Sequence, residues 1–284
     1  MKKIILLLVI CSPFILSTGC KKKTKQSEDS IYSRHLQRHV DLTILTTPLP
    51  EDKNALNLLL LNDGQELAQL RVKEIVDSLY AKKLIQPLVV VAIKVDDRMQ
   101  EYGVADLPDY EGRGSSAAKY AAFIDDELYP FIKKKTGVRK FNSITLQGCS
   151  LGALSAFDIA WDHADKIDKV GVFSGSFWWR DKTDTAPGYT DDKDRIMLNK
   201  IRSSRKKPHL KYWFYAGGNE EKGDRDKDGI IDVIDDTKDL LAIIKSKNVC
   251  PPEDIVYTEL KEGTHDYTYW SQVFPSFLIW AVGK

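Results

Sequence analysis

Ser150 lies in Gly148-Cys149-Ser150-Leu151-Gly152, a G-x-S-x-G pattern. The chemistry that such a serine offers is nucleophilic attack by a hydroxyl. Glycines on both sides let the chain reverse sharply without a Cβ clash, so the hydroxyl can stand clear of any strand ladder. The run Ser143 to Gln147 is β-rich and the Ala-rich run from Leu151 is helical in character, which predicts a strand–turn–helix context. The first N–H groups of such a helix, and its dipole, favour a developing oxyanion. A plain tight connection fits the same five residues, so the partners decide.

A serine nucleophile needs a base, and the base needs a group that holds its tautomer. The five histidines are His35, His39, His163, His209 and His265. His35 and His39 precede the first main strands, His163 ends a helix and His209 begins a strand. Only His265, in Gly263-Thr264-His265-Asp266, falls in a loop after the last expected strand, where the order nucleophile, acid, histidine places its base. The acid is sought after Tyr212 to Ala216, in Gly217-Gly218-Asn219-Glu220-Glu221; Glu220 is preferred and Glu221 is its rival. Leu61-Asn62-Asp63-Gly64-Gln65 also follows a strand, and the Gln65 and Leu151 N–H groups would make a two-donor oxyanion hole. Trp178 and Trp179 are read either as a wall for a sugar or aryl acyl group or as packing beneath a lid.

Those groups need a scaffold, and the periodicity supplies one. Strands are expected at Val40 to Thr46, Ala55 to Leu61, Leu88 to Val95, Ile144 to Gln147, Val170 to Phe173, Tyr212 to Ala216 and Ile255 to Leu260. Helices are expected at Glu66 to Lys82, with Leu67, Leu70, Ile75 and Leu79 toward the core, at Ser116 to Lys135, Leu151 to Asp162 and near Tyr267 to Trp280. Alternation of this kind predicts an α/β fold, a mostly parallel doubly wound sheet with helices on both faces. In such sheets reactive groups gather at the carboxyl ends of strands.

The start of the chain reads differently. Lys2 and Lys3, the apolar run Ile4 to Ile10 and Leu16-Ser17-Thr18-Gly19-Cys20 follow the order of a signal peptide over residues 1–19. Ending in Gly-Cys, the segment resembles a bacterial lipoprotein signal, although Ser17 stands where Leu is commoner; the resemblance implies lipidation at Cys20 and a membrane-anchored protein of the cell envelope. Residues 20–30 are expected to be a flexible tether and residues 31–284 a single domain. With 42 Lys and Arg against 41 Asp and Glu, the balance suggests no nucleic-acid partner. Cys11 lies in the signal, and Cys149 and Cys250 are expected to be free thiols.

Beyond the signal the chain resembles the putative-esterase group of α/β-hydrolases, which includes esterase D, enterochelin-type siderophore esterases and feruloyl or acetyl-xylan carbohydrate esterases. The likeness rests on Leu60 to Gln65, Asp97 to Tyr102, Gly148 to Gly152, Ser174 to Trp179, and Gly263-Thr264-His265 with Trp270. It implies an α/β-hydrolase fold, a serine esterase with nucleophile Ser150, base His265 and acid Glu220, oxyanion amides at Gln65 and Leu151, and no catalytic cofactor. It also implies that Arg98 and Glu101 pair to brace the rim of the site. An acyltransferase on the same fold and a non-catalytic lipoprotein that binds glycans or an iron chelate are the alternatives.

One further motif stands apart. Asp224-Arg225-Asp226-Lys227-Asp228-Gly229-Ile230-Ile231-Asp232-Val233-Ile234-Asp235 has the D-x-D-x-D-G spacing of an EF-hand-type calcium loop. Its ligands would be Asp224, Asp226, Asp228, the Ile230 carbonyl, Asp232 and Asp235, with a structural role for Ca²⁺. The alternative is a solvated acidic turn in which Asp235 or Asp236 caps the next helix.

Overall fold

The computed structural model describes residues 23–284. The segment expected to be a signal peptide, with Cys11, and the expected lipidation site Cys20 lie outside them. Eight strands form one sheet: β1 (Lys25–Ser33), β2 (Arg38–Thr46), β3 (Asn57–Leu61), β4 (Leu88–Ile93), β5 (Ile144–Cys149), β6 (Lys169–Phe173), β7 (Lys211–Gly217) and β8 (Ile255–Leu260). Their spatial order is β1-β2-β4-β3-β5-β6-β7-β8; β1/β2 and β2/β4 are antiparallel and every other pair is parallel. The helices are α1 (Val72–Ala81), α2 (Arg98–Glu101), α3 (Ala117–Ala122), α4 (Tyr129–Thr136), α5 (Leu151–Asp162), α6 (Asp191–Asp194), α7 (Ile196–Ser203), α8 (Asp232–Ser246) and α9 (Tyr267–Val282). No helix among the described residues is long and apolar enough to cross a membrane.

Alternation along the central strands divides the core. Leu58 and Leu60 of β3, with Val89 and Val91 of β4, face the layer of α3, α4, α5, α7 and α8. Leu59, Leu61, Leu88 and Val90 face α1 and α9. Both faces of these strands are covered, which is why they read as unbroken apolar runs. Burying each such leucine contributes about 1.5–3 kcal/mol.

Three expectations need correction. Residues 25–30 are not tether: they form most of β1, paired with β2 from Lys25↔Thr46 to Ser33↔Arg38. An edge strand draws its stability from main-chain hydrogen bonds and carries polar side chains on purpose, so apolar patterning misses it. Here Glu28 accepts from Thr43 and pairs with Lys94, and Asp29 pairs with Lys135. The helix expected from Glu66 starts only at Val72, because Asp63 (φ 56°) and Arg71 (φ 54°) are left-handed and confine Gly64–Glu66 to a 3₁₀ turn. Its buried face is accordingly Val72, Val76 and Leu79, with Ile75 at the margin. The long helix expected over 116–135 is present but passes through a π-helical stretch, Phe123–Leu128, between α3 and α4.

Candidate active site

The turn between β5 and α5 holds Ser150 at φ 56°, ψ −124°, a conformation that few L-residues adopt. The flanking glycines make it possible. A Cβ on Gly148 would lie 2.1 Å from the Gly152 oxygen, and one on Gly152 would lie 2.7 Å from an Asp63 carboxylate oxygen. The main chain of Ser150 is fastened to the neighbouring strand, its N–H donating to the Phe173 carbonyl at 2.8 Å and its carbonyl accepting from Ser176 N–H at 3.3 Å.

Two strands away, β7 ends and the chain turns through Gly217-Gly218-Asn219 to Glu220. The Glu220 carboxylate is 1% exposed and faces His265, Oε2 lying 2.8 Å from Nδ1. Its other oxygen accepts from Gly217 N–H and from the Ser174 hydroxyl, each at 2.5 Å. Gly217 N–H, the Ser174 hydroxyl and His265 Nδ1–H converge on this carboxylate, and with Nδ1 as the donor Nε2 is left as the acceptor. Ser174 was not anticipated from the sequence. It is buried at φ 51°, and it also accepts from the Trp270 indole at 2.8 Å, while the Trp270 ring packs edge-on against His265 with centroids 5.1 Å apart. A fixed chain therefore runs from Trp270 through Ser174 and Glu220 to His265. Ser174→Ala is expected to leave KM nearly unchanged and to lower kcat by about 10-fold or more, because it removes one donor from the carboxylate that orients the candidate base His265; an unchanged kcat would show that the Gly217 amide suffices.

Glu221 points elsewhere. Its carboxylate accepts from Val233 N–H at 2.8 Å and so caps α8, and burial with Asp232, Asp236 and Glu220 nearby pushes its carboxyl above the usual range. Ser150, Glu220 and His265 line one cavity of about 400 Å³, with Arg98, Arg113 and Trp178 also in its wall. Ser150 Oγ contacts Ser176 Oγ at 3.4 Å rather than the imidazole, the looser geometry usual before a substrate tightens the site.

The segment expected to supply the second oxyanion donor is bound to the elbow by side chains. Asn62 donates to the Gly152 carbonyl at 2.8 Å and accepts from the Tyr120 hydroxyl, Asp63 N–H donates to the Tyr102 oxygen at 2.9 Å, and Gly64 sits where a Cβ would meet Ala92 at 2.6 Å. Leu151 N–H, first in α5, has no intrahelical acceptor to reach, and Gln65 sits exposed in the adjacent 3₁₀ turn.

Arg98 does not pair with Glu101. It donates from Nε to Asp63 at 2.9 Å and from Nη2 to the Cys149 carbonyl at 3.1 Å, joining the two segments that carry the candidate oxyanion amides. Glu101 is buried against Arg38 of β2, at 2.7 and 2.6 Å. The single turn of α2 divides the two: Arg98 serves the buried Asp63, and Glu101 serves a strand cation. Trp179 is not a substrate wall, being wholly buried over Gly103 and Gly114, with its indole donating to the Leu107 carbonyl at 3.1 Å. Trp178 does face the cavity, with the Arg113 guanidinium 5.1 Å from its ring centre. Cys149 and Cys250 are free, and burial pushes both thiols up, Cys250 to about 11, so neither is a nucleophile at neutral pH.

In the acidic loop, carboxylate oxygens of Asp224, Asp226 and Asp228 lie within 4.8 Å of one another. Asp232 is not with them; it accepts from Arg225 N–H at 2.9 Å and pairs with the Arg225 guanidinium. Asp235 lies in the first turn of α8, its carboxyl pushed up to about 6 by partial burial and by the charges of Asp239, Asp226 and Asp228.

Residues 33–281 match the family model described as "Putative esterase". The chain belongs to that esterase family. It is 26% identical over 229 residues to the uncharacterized protein YbbA of Bacillus subtilis strain 168, covering 78% of this chain and 84% of YbbA. Its fold is similar to that of the enterobactin esterase FES from Shigella flexneri (TM-score 0.67, 22% identity, 89% of this chain) and spans 58% of that protein's length. It is also similar in fold to a ferulic acid esterase (TM-score 0.68, 16% identity, 92% of this chain and 98% of that one). The esterase family membership and the mostly parallel sheet make this chain a carboxylic ester hydrolase of the α/β-hydrolase fold; such enzymes need no catalytic cofactor.

Proposed function

We propose that this esterase works through a Ser150–His265–Glu220 triad on an ester outside the cytoplasm, of the sugar-linked acyl, feruloyl or siderophore type. The observation that carries the reading is Glu220, a 1%-exposed carboxylate 2.8 Å from His265 Nδ1, in the wall of the cavity that holds the elbow serine. Ser150 Oγ attacks the ester carbonyl while His265 Nε2 takes its proton, and the oxyanion rests on the Gln65 and Leu151 N–H groups. Collapse expels the alcohol with the proton from Nε2. A water, deprotonated by the same nitrogen, then releases the acid and restores the serine. The face of Trp178 and the adjacent Arg113 suit a flat aryl or sugar group, and the neighbours named for enterobactin and ferulic acid support that choice. A panel of feruloyl, acetyl-sugar and cyclic catecholate esters, with Ser150→Ala as the blank, tests it; equal rates for wild type and blank on every ester would refute the triad. The envelope location rests on the lipoprotein-like segment ending at Cys20, which mass spectrometry of the membrane fraction would show as a diacyl or triacyl adduct.

Calcium is the second element of the reading. Asp224, Asp226 and Asp228 converge on one point, and hydrogen bonds from the N–H groups of Asp228, Gly229 and Ile230 to their carboxylates hold the loop closed. The Ile230 carbonyl and Asp235 complete the proposed set, without Asp232. The loop leads into α8, which Glu221 caps beside the triad acid. Millimolar Ca²⁺ is expected to raise Tm by several degrees through mass action, and a chelator to reverse it; calorimetry without a binding heat would remove calcium from the account.

A further inference from the structure

We propose that the end of the molecule opposite the active site is a docking face for a bilayer rich in anionic phospholipid. Strands β3 to β8 all begin at this end and finish at the other, where Ser150, Glu220 and His265 stand. The segments leading into β3, β4 and β5 present exposed Lys53, Lys82, Lys83, Arg139 and Lys140, and the last turn of α4 adds Lys134. Glu51 and Asp52 are the carboxylates of those segments, and Asp52 caps the 3₁₀ turn Lys53–Ala55 through Asn54 N–H. The segments form one surface: the Asn142 amide donates to Asn57 at 3.0 Å and to Gln86 at 3.4 Å, and Lys53 Nζ comes within 3.1 Å of where Gly137 would carry a Cβ. The opposite end carries Asp224, Asp226, Asp228 and Glu221, with Lys222 and Lys227 exposed among them. A net charge of +1 conceals the excess of cations on the segments before β3, β4 and β5, which turns that end toward a negative surface.

Apolar features at the same end select a bilayer over a soluble polyanion. Leu49 and Leu84, 54% and 43% exposed, project from the segments before β3 and β4 among the cations. A cavity of about 520 Å³, floored by Ile44, Val89 and Ile132, opens between Lys23, Lys25 and Lys135. Exposed leucines beside an apolar cleft suit acyl chains beneath anionic headgroups and offer nothing to a nucleic acid. The described chain starts on this face at Lys23, just beyond Cys20, so an anchor and a docking face would coincide and hold the cavity of Ser150 toward solvent. The inference does not depend on the esterase reading.

The full-length chain is sedimented with phosphatidylglycerol vesicles and with phosphatidylcholine vesicles, and the ratio of the two partition coefficients is measured, so that any affinity of residues 1–22 for lipid as such cancels. The ratio is expected to exceed one by a wide margin and to collapse in high salt. Lys53→Glu/Lys134→Glu/Lys140→Glu should lower it by about 100-fold, whereas Lys193→Glu/Lys261→Glu at the other end should leave it within about twofold. Leu49→Asp/Leu84→Asp should weaken phosphatidylglycerol binding by about 10-fold or more. Circular dichroism checks that each variant is folded. A ratio that does not respond to the three lysines, or binding of single-stranded RNA without binding of vesicles, would overturn the proposal.

Discussion

Ser150→Ala and His265→Ala are each expected to lower kcat for a short aryl ester by about 10⁴-fold or more, and the double variant to be no worse than either single one. In the proposed triad the pair acts as a unit. Without the imidazole the hydroxyl keeps its proton, and without the hydroxyl the imidazole has nothing to deprotonate. What survives is stabilisation by the backbone amides alone. Glu220→Gln should cost about 10²–10⁴-fold, because an amide in that place presents an NH₂ group to donors that now point at a carboxylate: Gly217 N–H, the Ser174 hydroxyl and His265 Nδ1–H. Glu221→Gln should cost less than about 10-fold in kcat, and its visible effect should be about 0.5–2 kcal/mol of stability through the cap on α8. Steady-state kinetics with fluorophosphonate labelling of Ser150 checks the series. If Glu221→Gln proved the more damaging of the two in kcat, the acid would have to be reassigned.

The contrast between Glu220 and Glu221 shows where a sequence stops being legible. Both are acids in a loop after a strand, and nothing in their order tells which one turns inward. The decision comes from Gly217 and Gly218, whose Cβ positions would meet the Gly263 and Lys261 backbone at 2.4 and 2.5 Å, so that the loop packs down and buries the first acid. Elements with a periodic signature were legible. Leu88 to Ile93 is covered on both faces and says so in every residue, and the elbow is marked by its glycines. Elements whose role lies in one hydrogen bond were not. Ser174 is a single hydroxyl in a loop, β1 needs only its main chain, and Trp178 and Trp179 differ in sequence by nothing that fixes which faces the cavity. The pairing of Arg98 was missed for the same reason, since a helix of one turn does not specify which neighbour each of its side chains meets.

Arg98→Met should unfold the protein more easily by about 3 kcal/mol and lower kcat by about 10- to 100-fold with little change in KM. The Asp63 carboxylate is 3% exposed, and burial pushes its carboxyl up while Arg98 works against that push. Removing the cation leaves a buried anion with no charge partner, which is where the loss of stability comes from. For a domain of this size about 3 kcal/mol corresponds to a fall in Tm of about 6–12 °C. The kinetic loss has another source. Arg98 also donates to the Cys149 carbonyl, so it ties Asp63, next to Gly64 and Gln65, to the strand that ends at Ser150. Donors aimed at an oxyanion stabilise only the transition state, hence loosening the proposed Gln65 donor should lower kcat and spare KM. The double variant Arg98→Met/Asp63→Asn separates the two effects. Asn tolerates the left-handed φ of 56° at that position and carries no charge, so Tm should recover most of its loss. The tie to Cys149 stays broken, so kcat should not. If Tm and kcat returned together, Arg98 would be a neutralising charge and nothing more, and the positioning of the oxyanion segment would have to come from Asn62 and Tyr102 alone.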